Sequence, residues 1–497
     1  MTRTPRFLIA ALLATLAVGL AGCGSGSATT SGSAESGSKL VRSDALAFVA
    51  IDSDLGSSQW QQLDELSKKF PGRDKALSQL RQGLAENGVD YEKDVKPALG
   101  PEVDVALAAG SGAKDPSVAA LTKPKDAAKF KALIEKLNAH DKDQDPSAKP
   151  AVYKGIDDGW YAISDTEAQI DAVLKSSGGA ALADNSTFKS ALDKLPGEAL
   201  VKAYVDGSQL NELIRAQSQK NATPFDSSTL GLDKLEFVAA STSAESDGIR
   251  ARGVTSGADV GAGEFSSKLL EGVPGDALAF LNFRGTGTTD QLKKLEANPA
   301  VTQALVQIRA VLGVSLDDIL ALLHNEVALY VRPGAGIPEV TLAFDTKDQT
   351  AALSTLDRLA ARLAAATNGQ VQPGTQGGHE VKTVNLGQIA IHYGGLGDKV
   401  LVTTRVNGIA DYGSGSKVTD SADFKQAKSA AEMPDSTGGV FYLDLKDSIP
   451  LLEGLAGLAG QTPPAEVTQN VRPLRSFLAW MEGSGSTRTF DAFLEIK

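Results

Sequence analysis

The chain is poor in the residues that build disulfides and metal sites. It has one cysteine in 497 residues, which excludes an internal disulfide and any zinc or iron–sulfur site made of several cysteines. It has four histidines. We find no P-loop, no strand-linked Gly-x-Gly-x-x-Gly and no glycine-flanked serine at a strand–helix elbow. The sequence therefore predicts no cofactor, no metal ligand set and no catalytic residues.

Basic residues are also in the minority. The chain has 49 Lys and Arg against 61 Asp and Glu, a formal net charge of −12. Nucleic acids and anionic lipids both bind to basic surfaces. The excess of acidic residues therefore argues against a nucleic-acid partner and against a polybasic membrane contact. An acidic surface is typical of an exported protein that stays soluble. Apolar residues make up 42% of the chain, enough at this length to form two cores.

The first residues read "MTRTPRFLIAALLATLAVGLAGC". Arg3 and Arg6 give a positive start, and the apolar run from residue 7 to residue 20 follows. A helix needs about 20 apolar residues to span a bilayer, so this run has instead the length of a signal-peptide core.

The segment ends in "LAGC", which resembles a bacterial lipobox. The resemblance implies that the thiol of Cys23 receives a diacylglyceryl group and becomes the first residue after cleavage. Two acyl chains anchor a protein stably, whereas one does not. We therefore predict a lipoprotein signal peptide at residues 1–22, lipidation (palmitate-type acyl chains) at Cys23, and a location on the extracytoplasmic face of the cell membrane. An ordinary signal peptide with an incidental cysteine is the alternative.

Residues 23–38 are almost entirely Gly, Ser, Thr and Ala. Such a composition has little to bury and is typical of a flexible linker. We predict a flexible Gly/Ser tether over residues 23–38, which would hold the folded part away from the membrane.

The rest of the chain repeats its own pattern. "SDALAFVAID" at Ser43 returns as "GDALAFLNFR" at Gly275, and "GPEVDVAL" returns as "HNEVALYV". Later, the Phe-Lys pair at Phe188 returns at Phe424. The spacing between matched segments changes only by short insertions, which indicates an internal duplication. We predict a first module at 39–260 and a second at 271–497, with residues 258–270 as a short join.

Each module alternates short strands with amphipathic helices. Residues 126–138 and 348–365 each carry an apolar stripe at helical spacing, the second made of Leu353, Leu356, Leu359 and Leu363. Two strands flank an acidic turn at Asp157, which predicts a hairpin. The predicted fold class is α+β: two tandem duplicated modules, each a largely antiparallel sheet covered by helices on one side.

The "DALAF" strand and the "GV…LG…EV.L" segment at 88–107 and 313–329 resemble a family of actinobacterial exported or membrane-anchored proteins, known as domain of unknown function 3352. The helices and hairpins follow in the same order over nearly the whole mature chain. The resemblance implies an exported, anchored and duplicated protein with no established activity. It brings no catalytic residues.

A few residues are candidates for metal binding or catalysis. His379, Glu380 and His392 lie close in sequence on neighbouring strands, and a two-histidine, one-carboxylate metal site is one interpretation. His324 in "LLHNEV" is better explained as a helix-end residue. The serine of "STFK" at Ser186 has the spacing of a penicillin-binding enzyme, but the partner motifs are absent and a helix start explains it better.

Matched acids form a second group. Asp206 and Asp444 each end a strand and begin a helix, a position at which a carboxylate caps free backbone N–H groups or, alternatively, binds calcium or acts as an acid. Glu102 and Glu326 match each other at the starts of strands, and the sequence gives no reason for either. Trp60, Trp160 and Trp480 have no matching partners; a core position is the ordinary interpretation, and a ligand groove is the alternative.

These observations favour a non-enzymatic protein that binds a lipid, an envelope metabolite or another envelope protein, and two packed modules would form a cleft suited to a ligand. The alternative is a cell-envelope hydrolase acting on lipid or cell-wall substrates, with its catalytic residues in one copy only.

Overall fold

The structure, a computed structural model, describes residues 35–110, 116–220, 231–257, 263–285, 299–334, 336–387, 389–458, 460–461, 463–483 and 485–497. Cys23, the predicted signal peptide and most of the predicted tether lie outside the described residues. The chain divides into two compact units. The first holds the described residues 35–220 and 232–257 with Ile496–Lys497, and the second holds residue 231 and the described residues within 263–495. No helix in these ranges is both long and apolar enough to cross a membrane.

The first unit contains eight described strands: β1 (Ala47–Asp52), β2 (Glu102–Ala108), β3 (Ser117–Thr122), β4 (Val152–Gly155), β5 (Tyr161–Ser164), β6 (Val201–Asp206), β7 (Phe237–Glu245) and β8 (Gly248–Ser256). Hydrogen bonding orders them β4-β5-β3-β2-β1-β6-β7-β8, and every one of these pairings is antiparallel. Its described α-helices are α1 (Ser58–Ser67), α2 (Arg73–Glu86), α3 (Ala127–Gln144), α4 (Glu167–Val173), α5 (Ser186–Leu192) and α6 (Gly207–Lys220). A short 3-10 turn (Ser36–Lys39) precedes β1, and a π turn (Tyr91–Val95) precedes β2.

Alternation along the strands gives this sheet two buried faces. One face packs an aromatic cluster in which the Phe188 ring lies 5.7 Å from Phe48 and 5.1 Å from Tyr204. The other face carries Val103 and Ile163 against the apolar stripe of α3. Helix α3 begins where the Asp126 carboxylate accepts the backbone N–H groups of the first turn, as its N-cap.

The second unit contains the described strands β9 (Ala279–Arg284), β10 (Glu326–Arg332), β11 (Glu339–Asp345), β12 (Val371–Gln376), β13 (His379–Leu386), β14 (Ile389–Leu396), β15 (Lys399–Thr403), β16 (Gly439–Asp444), β17 (Leu474–Glu482) and β18 (Thr487–Ile496). Antiparallel pairings order them β12-β13-β14-β15-β11-β10-β9-β16-β17. Its described α-helices are α7 (Pro299–Leu312), α8 (Leu316–Leu323), α9 (Gln349–Ala366), α10 (Gly408–Asp411), α11 (Ala422–Ala430), α12 (Leu445–Leu458) and α13 (Ala465–Val471).

This second sheet is also buried on both faces. On one face the Phe424 ring lies 5.2 Å from both Phe280 and Tyr442. On the other face Val327 and Phe344 pack against α9. Helix α9 lies where its leucine stripe predicted a helix, but its buried face is rotated toward small residues: Ala352, Thr355, Leu356, Ala360 and Ala364 are buried, whereas Leu363 is 37% exposed.

The mixed α+β character and the antiparallel pairing confirm the predicted class, and the hairpin at Asp157 forms between β4 and β5. The expectation of helices on one side is wrong. Each sheet has a second apolar face, and each buries that face under a helix, α3 in the first unit and α9 in the second.

Ordered structure also begins earlier than the predicted boundaries in both units. Gly37 and Ser38, within the predicted tether, are buried in the 3-10 turn. Ser267 and Leu269, within the predicted join, bond to a buried side chain of the second unit. Composition alone suggested a linker at both places, because the partners that hold these residues lie about 60 positions further along the chain.

Candidate functional site

A surface cleft of about 940 Å³ opens in the second unit between α8 and α9. Its walls are made by the first turns of the two helices, by the turn that follows β11 and by the start of β10. The residues that line it are Asp317, Asp318, Leu320, Ala321, Leu322, His324, Asn325, Thr346, Lys347, Asp348, Ala351, Ala352, Ser354, Thr355 and Arg358. We call this feature the helix cleft.

One end of the helix cleft is fixed by a charged link between its two helices. Ser315 caps α8: its hydroxyl accepts the Asp318 N–H at 3.2 Å, and the Asp318 carboxylate accepts the Ser315 N–H at 2.9 Å. Arg358 of α9 reaches the other carboxylate oxygen at 2.8 Å. The Ser315 backbone and hydroxyl hydrogen bonds, and then Arg358, lower the pKa of Asp318. This acid is therefore an anion that joins α8 to α9.

The helix cleft combines an apolar floor with a polar rim. Leu322 and Ala352 are buried at its base, while Lys347 and Asp348 lie exposed at its edge. Asp348 is engaged as the N-cap of α9, accepting the Ala351 N–H at 2.9 Å. The lining acids and bases nearly balance, so the cleft suits a small amphipathic molecule of low net charge.

The first unit has a related charged link but a smaller hollow. Lys136 of α3 lies 2.5 Å from Asp94, whose carboxylate also accepts the Asp90 N–H at 2.8 Å. Although partial burial opposes it, these hydrogen bonds lower the pKa of Asp94. The neighbouring hollow has a volume of about 300 Å³.

The two units differ at a matched position of α3 and α9. The N-caps Asp126 and Asp348 begin α3 and α9, and four residues after each N-cap the first unit has Phe130 where the second has Ala352. Phe130 is 2% exposed, and its ring lies 5.0 Å from that of Tyr161. Ala352, by contrast, lines the helix cleft. The match of "KDAAKF" with "KDQTAA" carries this difference in the sequence.

The histidines do not converge. His324 ends α8 as its C-cap residue and lines the helix cleft. His379 begins β13, whereas His392 on β14 lies opposite Thr383, four residues further along. At about 3.3 Å per residue this separates the two histidines by roughly 13 Å, too far to share a metal ion. His392 is bonded to the Thr383 hydroxyl at 2.8 Å, and burial lowers its pKa.

The predicted capping residues act as caps. Asp206 accepts the Gln209 N–H and Asp444 accepts the Asp447 N–H, each at 3.0 Å. Asp423, Asp444 and Asp447 bring their carboxylates within 4.8 Å of one another. Lys446 already lies 3.0 Å from Asp423, so this acidic group carries no metal assignment.

The remaining candidates have structural positions. Ser186 opens helix α5 behind the Asn185 N-cap, as a helix-start interpretation predicts. The three tryptophans are buried, which confirms the core interpretation. Trp160 and Trp480 belong to the cores of the first and second unit, respectively.

The matched glutamates, which the sequence left unexplained, fasten the start of each unit. Glu102 accepts the Ser36 hydroxyl at 2.9 Å and the Gly37 N–H at 3.3 Å. Glu326 accepts the Lys268 and Leu269 N–H groups, both at 3.0 Å, as well as the Asn282 amide at 2.9 Å and the Ser267 hydroxyl. Each carboxylate therefore satisfies the donors of the segment that leads into its sheet.

The fold defines a mixed α+β protein built on antiparallel sheets. The chain belongs to the family described as "Protein of unknown function (DUF3352)", whose model matches residues 7–496. This confirms the predicted resemblance to that domain; its actinobacterial, lipid-anchored character stays a prediction.

No curated protein matches the chain. Similar solved structures include crystal form I of TP0453, with a TM-score of 0.26 and 10% identity over 46% of this chain and 79% of that one. Crystal form IV of TP0453 has a TM-score of 0.24 and 11% identity over 44% of this chain and 77% of that one. At these scores the likeness carries no argument about what this chain does.

Proposed function

We propose that the protein is a lipid-anchored, extracytoplasmic membrane protein that binds a small amphipathic molecule without transforming it. The single observation that carries the binding role is the helix cleft, with its volume of about 940 Å³, its apolar floor and its balanced polar rim. The anchor is supported by the basic start, the short apolar run and the Leu-Ala-Gly-Cys ending of residues 1–23.

The same proposal includes a tandem duplication. Its support is the shared strand order: β4-β5-β3-β2-β1-β6-β7 in the first unit corresponds to β14-β15-β11-β10-β9-β16-β17 in the second. The matched residues include two aromatic clusters of the same composition, one centred on Phe188 and the other on Phe424. Glu102 and Glu326 also fill corresponding positions. The second unit adds β12 and β13 at one edge of its sheet.

Divergence between the copies supports a binding role for the second one. After a duplication, a core position is expected to keep its packing unless a different use replaces it. The first unit fills the matched site with Phe130 and Leu133, and the second carries the smaller Ala352 and Thr355 there. We infer that these two smaller side chains contribute to the open volume of the helix cleft.

The binding role is tested by restoring those side chains. Ala352→Phe combined with Thr355→Leu should fill the helix cleft, as in the first unit. We expect any small molecule seen on the wild-type protein by native mass spectrometry to be lost, and binding of the neutral apolar dye N-phenyl-1-naphthylamine to weaken at least about tenfold, as for a loss of about 1.4 kcal/mol. Ala361→Phe, on an exposed position of the same helix, is the matched control.

Equal dye binding by the filled variant and the control would contradict the assignment of the helix cleft. A wild-type protein free of any small molecule that hydrolyses generic ester substrates would favour the hydrolase alternative instead. The anchor is tested separately: Cys23→Ser should abolish labelling by radioactive palmitate and either release the protein from membranes or leave an uncleaved precursor. Unchanged labelling would contradict lipidation at Cys23.

A further inference from the structure

The first unit buries a carboxylic acid that has no hydrogen-bond donor. Asp104, on β2, is fully buried, and neither of its carboxylate oxygens has a partner in the described part of the chain. The N–H of Gly37 donates to Glu102 at 3.3 Å and offsets the effect of burial on the pKa of Asp104 only in part. An ionised carboxylate without donors is costly in such a place, whereas the neutral acid is tolerated.

Asp104 lies directly under the segment that leads into the first unit. A Cβ atom on Gly37 would lie 1.9 Å from an Asp104 carboxylate oxygen, so any larger residue at this position would have to displace the Asp104 side chain. We call residues 35–40 the leading segment. Glu102 lies two residues before Asp104 on the same strand, which places both side chains on the same face of the sheet. The carboxylate that holds the leading segment is therefore the neighbour of the buried acid.

In the second unit, the polar residue beside the buried glutamate is a neutral amide. Ala328 occupies the position that corresponds to Asp104, and Asn282 lies opposite it on β9. The Asn282 amide donates to Glu326 at 2.9 Å. In the first unit Ala50 is the residue opposite Asp104. The polar residue beside the matched glutamate therefore lies on different strands in the two units: Asn282 on β9 accompanies Glu326, and Asp104 on β2 accompanies Glu102.

We propose that Asp104 is held as the neutral acid and donates its proton to Glu102, so that one shared proton keeps the leading segment fastened to the first unit, and that removal of this proton loosens the segment. The proton stays between two carboxyl oxygens, and no metal ion is required. Among the described residues, the one cluster of three or more potential metal ligands lies elsewhere, in the second unit.

The surrounding charges favour this state. Burial and then the Glu102 charge raise the pKa of Asp104 well above its usual range, and Glu35 adds to the effect. Lys202 on β6 lies opposite Ala50 and pairs with Glu35 at 2.6 Å. Asp52 on β1, opposite Glu102, is a further buried acid. Because Lys202 is already paired with Glu35, ionised Asp104 would add a further negative charge beside Glu102 and Glu35.

The proposal is tested by hydrogen exchange of the leading segment in the full chain carrying Cys23→Ser. In the otherwise wild-type protein, the protection factor of peptides covering residues 36–46 should fall as pH rises from the ordinary aspartate pKa of about 3.9 toward the raised pKa of Asp104, by up to tenfold per pH unit for one proton released. Asp104→Asn, which imitates the neutral acid, should keep the protection at pH 6 and abolish its pH dependence. Asp143→Asn, at an exposed position of α3, should retain the wild-type profile.

A second measurement does not depend on any variant folding. Infrared spectra of the protein with carboxyl-labelled aspartate should show, at pH 7, the carbonyl band of a protonated aspartic acid shifted by the label. Absence of that band would overturn the proposal. So would equal pH profiles of wild type and Asp104→Asn, or loss of protection at pH 6 in Asp104→Asn, because each would mean that no proton on Asp104 fastens the segment.

Discussion

Replacing Glu326 by alanine tests how each unit is closed at its start. Glu326 is 2% exposed and accepts four hydrogen bonds, three of them from Ser267, Lys268 and Leu269 in the segment before β9. The fourth comes from the Asn282 amide. Truncation leaves all four donors without their acceptor, and two of them are backbone groups that have no alternative partner in the described contacts.

The magnitude follows from the number of donors. A hydrogen bond to a charged group contributes about 1.5–3 kcal/mol, and a buried donor left unsatisfied costs a similar amount. Since losses within one network are not additive, we expect Glu326→Ala to lower the free energy of unfolding of the second unit by about 4 kcal/mol. Glu102 accepts two such bonds, so Glu102→Ala should cost the first unit about half as much.

The assay is urea unfolding combined with hydrogen exchange read by mass spectrometry. Peptides covering 263–285 should lose protection in Glu326→Ala, whereas peptides of the first unit should keep theirs. Glu380→Ala, at an exposed position of β13, is the matched control and should change stability by less than about 0.5 kcal/mol. A loss below about 1 kcal/mol in Glu326→Ala would refute the reasoning, because it would mean that water satisfies these donors as well as Glu326 does.

Further predictions concern the buried acids of the first unit. Burial raises the pKa of Asp52 from 3.8 to about 6, so its contribution to stability is complete below pH 3.8 and is lost as pH rises toward 6. At 1.36 kcal/mol per pKa unit, the free energy of unfolding of Asp52→Asn should rise by about 3 kcal/mol relative to that of the wild type between pH 3.8 and pH 6. A difference in unfolding free energy that stays constant with pH would contradict this. The double variant Ala50→Asn with Asp104→Ala gives the first unit the residues that the second unit has at the matched positions, Asn282 and Ala328. It should unfold at the same urea concentration at pH 6 and pH 8. Failure to fold would show that the surroundings of Glu102 and Glu326 are not equivalent. Gly37→Ala should lower the melting temperature by several degrees, since its methyl group collides with Asp104; an unchanged melting temperature would mean that the leading segment moves away freely.

Much of the fold could be predicted because it is encoded locally. Strand alternation around Phe48 and Phe280, the apolar stripes of 126–138 and 348–365 and the acidic turn at Asp157 are each set within a short stretch of chain. The buried face of α9 was harder to predict: a leucine stripe suggested the core side, but small residues such as Ala360 allow the helix to approach the sheet more closely, and Leu363 turns outward.

The site depended on contacts between distant positions. Sequence comparison found Glu102 and Glu326 but not their role, because the donors they satisfy lie about 60 residues earlier in segments whose composition is that of a linker. The helix cleft required comparing Phe130 with Ala352 as a packing difference, although the two matched segments were already aligned. The buried acid Asp104 has no counterpart in the second unit and therefore left no trace in the repeat.

The ion pair between Lys202 and Glu35 sets a practical limit on where the protein can be cut. A recombinant chain begun at residue 39, where the repeated pattern suggests a boundary, would lack Glu35, Ser36 and Gly37. Lys202 would then be a buried ammonium with no counterion, and Glu102 would lose both donors. For soluble expression, the chain is best started upstream of residue 35. A stretch with the composition of a linker then stays in place as part of the folded first unit.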